Sequence, residues 1–186
     1  MPAQVEPRMT VADLEVLPDD GNRYELIEGE LIVSRAPGLT HQRISGNLFA
    51  VLRRFLDQHP LGEIVATPGV VFDDFNGVIP DLIFMSNERR ANIVAGEQLI
   101  GPPELVIEIV SPGIENSRRD RVAKRQVYSR FGVDEYWIVD PNDRTLEIYR
   151  RQTDALKLVA TLTDGDTLTS PLFPGFAVAM HEVFAI

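Results

Sequence analysis

The sequence predicts an α/β domain, and three stretches carry that prediction. Leu105-Val106-Ile107-Glu108-Ile109-Val110 is a branched aliphatic run with one acid inside it, opened by Pro102-Pro103 and closed by Ser111-Pro112-Gly113. A short apolar run between turn residues reads as a strand buried on both faces. Residues 40–58 repeat Ile44, Leu48, Val51, Leu52, Phe55 and Leu56 at helical spacing, with Thr40 as the expected cap and His59-Pro60 as the stop. Residues 135–139, the turn Asp140-Pro141-Asn142-Asp143 and residues 145–149 give a pair of strands.

The other elements follow in order. Residues 1–9 are expected to be a flexible tail and 10–186 a single domain. The spacing of Thr10 and Asp13 is a capping box for a short helix. Residues 24–27 and 31–33 flank Glu28-Gly29-Glu30 and predict a β-hairpin near the N-terminus. Two more strands, 63–66 and 70–72, are joined across Thr67-Pro68-Gly69, and an acidic turn follows at 73–77. Pro80 holds Ile79 extended and withholds a donor, so a strand enters its sheet there, with Asp81, Ile83 and Met85 on one face. Residues 86–101, with Arg89 and Arg90, are polar and read as a surface excursion. Ser117 and Asp120 form a second capping box, opening a helix that runs to Phe131 and stops at Gly132. On that helix Ala123, Val127 and Phe131 make the buried line and Asp120, Lys124 and Tyr128 the adjacent one. Lys124 is therefore expected at the border of core and solvent. Residues 156–162 and 166–170 continue the β content, and the apolar tail from Pro171 is expected to pack on the body.

Composition narrows the function. At 186 residues there is room for one proper core. The absence of cysteine excludes disulfides and thiol catalysis. No stretch approaches the roughly 20 apolar residues of a membrane span, and the first residues lack the pattern of a secretory signal, so a cytoplasmic protein with no membrane partner is expected. The net charge of −10 weighs against a protein that coats nucleic acid by charge alone. Yet residues 115–130 hold six bases (Arg118, Arg119, Arg121, Lys124, Arg125 and Arg130) against two acids. That island could focus a phosphate backbone, through Arg118, Arg121 and Arg125, or be a solvated helix face.

Glu108 asks the sharpest question. A buried ionised carboxylate is costly unless paired, and Asp81 and Lys124 are its candidate neighbours. Two acids and a lysine around one point suggest a divalent cation and a phosphate. Mg²⁺ needs only one or two carboxylates and keeps several waters. Asp81 and Glu108 would hold it, with the backbone carbonyl of Ile109 as a further ligand and Mn²⁺ as a possible substitute. Lys124 would orient or help deprotonate the attacking water and neutralise a phosphate oxygen. Glu25, His41 and Asp120 are possible auxiliaries. Each also has a plainer reading: a solvent-facing hairpin acid, an end-of-helix histidine, and a cap or an i,i+4 partner of Lys124.

Several segments together resemble a known family. They are Arg23-Tyr24-Glu25-Leu26-Ile27-Glu28-Gly29-Glu30-Leu31, Pro80-Asp81-Leu82, residues 103–112, the Asp120/Lys124/Tyr128 spacing and residues 132–140. In this order the chain is similar to the Uma-type restriction endonucleases of the PD-(D/E)XK nuclease superfamily. The resemblance implies a restriction-endonuclease-like core, a central mixed β-sheet flanked by helices, and a metal site on Asp81 and Glu108. The superfamily's usual lysine, two residues after the glutamate, is Val110 here. Relatives of this type take it from the following helix, which makes Lys124 the substitute. The implied function is a Mg²⁺-dependent DNA endonuclease, with Asp81, Glu108 and Lys124 catalytic, acting as a homodimer because cutting both strands needs two sites. The alternative is a catalytically inactive protein of the same fold that binds a nucleic acid or a protein. A two-carboxylate glycosidase would leave Lys124 and the basic helix without a role.

Overall fold

A computed structural model of the protein describes residues 8–113 and 119–185. The expected tail therefore lies mostly outside the described residues. α1 (Val11–Leu14) is closed by the predicted box, with the Thr10 amide and hydroxyl both donating to Asp13 at 2.7 Å. β1 (Arg23–Ile27) and β2 (Glu30–Ser34) pair antiparallel around Glu28 and Gly29. Both turn residues have positive φ, 56° and 80°, the conformation whose twist suits a two-residue hairpin. α2 (Leu39–Gln58) buries Ile44, Leu48, Leu52 and Leu56 on one face. Its N-cap is Gly38 rather than Thr40, since the helix starts earlier than the apolar repeat that marks its face.

β3 (Gly62–Ala66) and β4 (Val70–Asp73) go to different sheets. β5 (Asn76–Val78) returns on β4, and β6 (Leu82–Ser86) begins directly after Pro80-Asp81. The stretch 86–101 is not an irregular excursion. It contains α3 (Asn87–Ile93), β7 (Val94–Ala95) and β8 (Gln98–Ile100). The Ser86 hydroxyl caps α3 by accepting from the Arg89 amide at 3.0 Å. Only Ile93 of that helix is buried, so no apolar period announces it.

β9 (Leu105–Ile109) is the Glu108 strand, buried along its length. Residues Arg119–Lys124 form a π-helical segment, where a continuous α-helix was expected, and lead into α4 (Arg125–Phe131). Gly132 ends it at φ 98°, as predicted. The expected cap Ser117 lies outside the described residues. β10 (Glu135–Asp140), β11 (Thr145–Gln152) and β12 (Ala155–Leu162) form an antiparallel meander. β13 (Thr167–Leu168), β14 (Val178–Ala179) and α5 (Met180–Val183) complete the chain.

The central sheet has the order β12-β11-β10-β9-β6-β3 and is mixed, with β9 and β10 parallel and its other pairs antiparallel. A second six-stranded sheet, β2-β1-β5-β4-β8-β7, grows from the N-terminal hairpin. Alternation along the central strands makes two cores. On one face Leu82, Phe84, Leu105, Ile107, Ile109 and Trp137 pack on α2 and on the tail residues Phe173, Phe176 and Phe184. On the other, Ile83, Met85, Val106, Val110, Tyr136 and Ile138 meet Ile27, Val70 and Val78 of the second sheet and Val127 and Tyr128 of α4. Glu108 alternates with Val106 and Val110, so it belongs to the second face. No helix among the described residues is long and apolar enough to cross a membrane.

Candidate active site

Register brings the first two acids together. β6 and β9 pair Leu82 with Ile107 and Ile83 with Val106, and one step further sets Asp81 beside Glu108. The Ile109 amide donates to Asp81 Oδ2 at 2.8 Å. His41, in the first turn of α2, places Nε2 3.1 Å from the same oxygen. Arg23 approaches the other oxygen, Oδ1, only to 3.5 Å.

Lys124 enters from the opposite side. Its Nζ lies 2.9 Å from Glu108 Oε1 and 2.9 Å from Glu25 Oε1. The Tyr128 hydroxyl donates to Glu108 Oε1 at 2.7 Å, and the Ile79 amide to Glu25 Oε1 at 2.8 Å. Lys124 is 2% exposed, so it does not sit at the border of core and solvent. The reason is charge: two buried carboxylates, from β1 and β9, converge where one ammonium can neutralise both. Glu25 is likewise a buried ion-pair member and not a solvent-facing hairpin acid. Asp120 is buried as well, but its partner is Arg119 at 3.2 Å, and among the described residues no ion pair joins it to Lys124.

These contacts set the protonation of the cluster. Burial pushes the Glu108 carboxyl up to about 8; the Lys124 charge opposes this, and Asp81 and Asp120 reinforce it. Burial raises Asp120 too, against Lys124 and Arg119. Burial would also raise Asp81, but the hydrogen bond and charge of His41, the Ile109 amide and Lys124 together hold it below the ordinary aspartate value. For Lys124, burial favours the neutral amine and is outweighed by Glu108, Glu25 and Asp120, so its affinity for the proton is higher than usual.

Asp81, Glu108, Lys124, Glu25, His41, Asp120 and Ile109 all line one cavity of about 370 Å³. Both hydrogen bonds to Glu108 land on Oε1, and none among the described residues reaches Oε2. The described residues hold no group of three or more acids and histidines placed to cage a metal. Two carboxylates on adjacent strands, each with one oxygen anchored, are nonetheless a donor set that fits a hard cation keeping most of its own water.

Other predicted residues do not reach this cavity. Arg121 is held by Asp140 and Glu147, each at 3.2 Å. Arg125 lies over the Tyr149 ring, 4.9 Å from its centroid. Arg118 lies outside the described residues. The arginines that line the cavity are Arg23, Arg35 and Arg119. Arg23 had a signal, since it stands two residues before Glu25 on a strand and so shares its face. Tyr128 had one too, a buried hydroxyl one turn beyond Lys124.

Comparisons with known proteins bear on the family and the fold. A family model described as "Putative restriction endonuclease" (Uma2) matches residues 11–181. A crystal structure from Anabaena variabilis, described as a putative nuclease belonging to DUF820, aligns with a TM-score of 0.77 at 18% identity, over 95% of this chain and 98% of that one. At that identity the likeness is one of fold. No curated protein matches the chain.

Proposed function

The chain belongs to the Uma2 family, and from that membership and the site geometry we propose a metal-dependent DNA endonuclease that hydrolyses phosphodiester bonds. The observation that carries the reading is the convergence of Asp81 and Glu108 on one cavity, with the Lys124 ammonium 2.9 Å from Glu108. Asp81 and Glu108 would hold Mg²⁺, or Mn²⁺ in its place, with the Ile109 carbonyl as a further oxygen. A cation bound there would supply an acidified water and offset charge on the phosphoryl oxygens.

The chain's own residues do the positioning. Lys124 and Tyr128 hold Glu108 by Oε1 and leave Oε2 to a ligand. The Ile109 amide and His41 do the same for Asp81 through Oδ2. Between its two suggested roles, Lys124 fits the first: an ammonium held protonated by Glu108 and Glu25 donates to a water or a phosphate oxygen and does not take a proton. A homodimer would carry one such site to each strand.

The test is cleavage of plasmid DNA with Mg²⁺ or Mn²⁺ by the wild type, Asp81→Asn and Glu108→Ala. Wild type is expected to nick or cut, and each variant to lose about 100-fold or more, the scale of removing one electrostatic contribution to a transition state. Equal cleavage by all three would move the reaction to another site. An absence of both cleavage and metal-induced thermal stabilisation in the wild type would favour a binding module on this fold.

A further inference from the structure

Partly buried arginines are treated differently in this protein. Arg121, with a quarter of its side chain exposed, is clasped by two carboxylates at 3.2 Å. Arg89, at 28%, binds Asp134 at 3.0 Å and the Pro102 carbonyl at 3.2 Å. Arg151 donates to three backbone carbonyls at 2.7 to 3.3 Å. Arg23 is also a quarter exposed, yet its sole polar contact among the described residues is the 3.5 Å approach to Asp81 Oδ1. That distance is beyond a good hydrogen bond. A guanidinium that lines a cavity and has no close protein partner is free to meet a ligand's oxygens in place of water.

The position of Arg23 says which ligand. It lines the same cavity as Asp81 and Glu108, as do Arg35 and Arg119. Arg35 is exposed and makes no ion pair among the described residues. A phosphodiester brought toward Glu25, Asp81, Glu108 and Asp120 would be repelled unless cations met its oxygens, and a planar guanidinium meets two at once.

We propose that Arg23, flanked by Arg35 and Arg119, is the phosphate subsite of this cavity and grips the non-bridging oxygens of a DNA backbone phosphate. The identity of the ligand rests on the nuclease reading; the place of Arg23 in the cavity wall does not.

The experiment is binding of a short fluorescein-labelled DNA duplex, followed by anisotropy across a salt series with Ca²⁺ present. It compares wild type, Arg23→Gln, Arg23→Lys and, as an arginine outside the cavity, Arg53→Gln. Arg23→Gln is expected to weaken binding about ten-fold or more and to lower the slope of log affinity against log salt by about one. Arg23→Lys should recover the slope but not the full affinity, and Arg53→Gln should match wild type. Thermal melting in parallel should show Arg23→Gln no less stable than wild type, because no close contact is lost. Unchanged affinity and slope in Arg23→Gln, or no duplex binding by wild type at low salt, would overturn the proposal. Inorganic phosphate that displaces the duplex at equal concentration would make this a free-phosphate site and overturn the backbone assignment. If wild type binds through Arg23 yet never cleaves with Mg²⁺ or Mn²⁺, the nuclease reading falls and the subsite stands.

Discussion

The two faces of β9 and of Val110 just after it are put to opposite uses. Leu105, Ile107 and Ile109 point into an apolar core sealed by α2 and the aromatic tail. Val106 and Val110 point the other way, and between them Glu108 meets Lys124 and Tyr128. Both faces are buried, but only one gathers charge around a cavity. The first face is stabilised by apolar area and tight packing, about 25 cal/mol for each Å² removed from water. The second is held by a cluster in which each ion is tolerable only because the next is present. A strand of this kind lets stability come from one side and leaves the other free to hold an arrangement that would be unfavourable alone.

The comparison breaks most visibly at Lys124. Lys124→Ala removes the ammonium that Glu25 and Glu108 share and leaves two buried carboxyl groups without their cation. The expected loss is about 3–5 kcal/mol of unfolding free energy in metal-free denaturant titrations. A loss below about 1 kcal/mol would mean that the cluster is far better solvated than its burial implies. On the apolar face, Leu52→Ala should cost about 2–5 kcal/mol by leaving a cavity under α2. Cleavage per folded molecule should nevertheless stay at the wild-type value, since Leu52 does not line the cavity. Equal damage to cleavage would show that the two faces are not independent.

How much of this could be read from the chain follows the same division. The apolar face was legible, because residues 40–58 repeat their aliphatics at helical spacing and the 105–110 run has turn residues at both ends. Glu108 was legible as the one acid in that run, and Asp81 as the residue that opens the next strand after Pro80. The missed parts depend on contacts made across the fold. Glu25 was left between an auxiliary of the site and a hairpin acid because no local pattern shows that its side chain meets Lys124. Lys124 looked half-exposed because helical spacing says nothing about two carboxylates waiting on other strands. Arg121 and Arg125 looked ready for phosphate, and their sequence neighbours gave no hint of Asp140, Glu147 or the Tyr149 ring. In the second sheet the N-terminal hairpin and the strand at 70–72 were legible, whereas β5, β7 and β8 escaped because they run only two or three residues, too short for a period to emerge.

The gentlest test uses pH. Glu108 has an ordinary value of 4.5 and is raised to about 8 in the folded protein. Between those values the folded state holds a proton that the unfolded chain has released, so this group's contribution is full below 4.5 and is lost as pH rises toward 8. Asp120, also raised by burial, acts in the same sense. Asp81 is lowered, so its contribution is present above the ordinary aspartate range and is lost on acidification. Lys124 is raised, so its contribution fades only above the ordinary lysine range. From about pH 5 to 8 the first two dominate, and the metal-free protein should melt at progressively lower temperature. Glu108→Gln, which cannot release that proton, should flatten the slope. Leu52→Ala should shift the whole curve down and leave its slope unchanged, because the substitution removes no titrating group. A melting temperature that rises over this interval would contradict a Glu108 carboxyl that keeps its proton in the folded state.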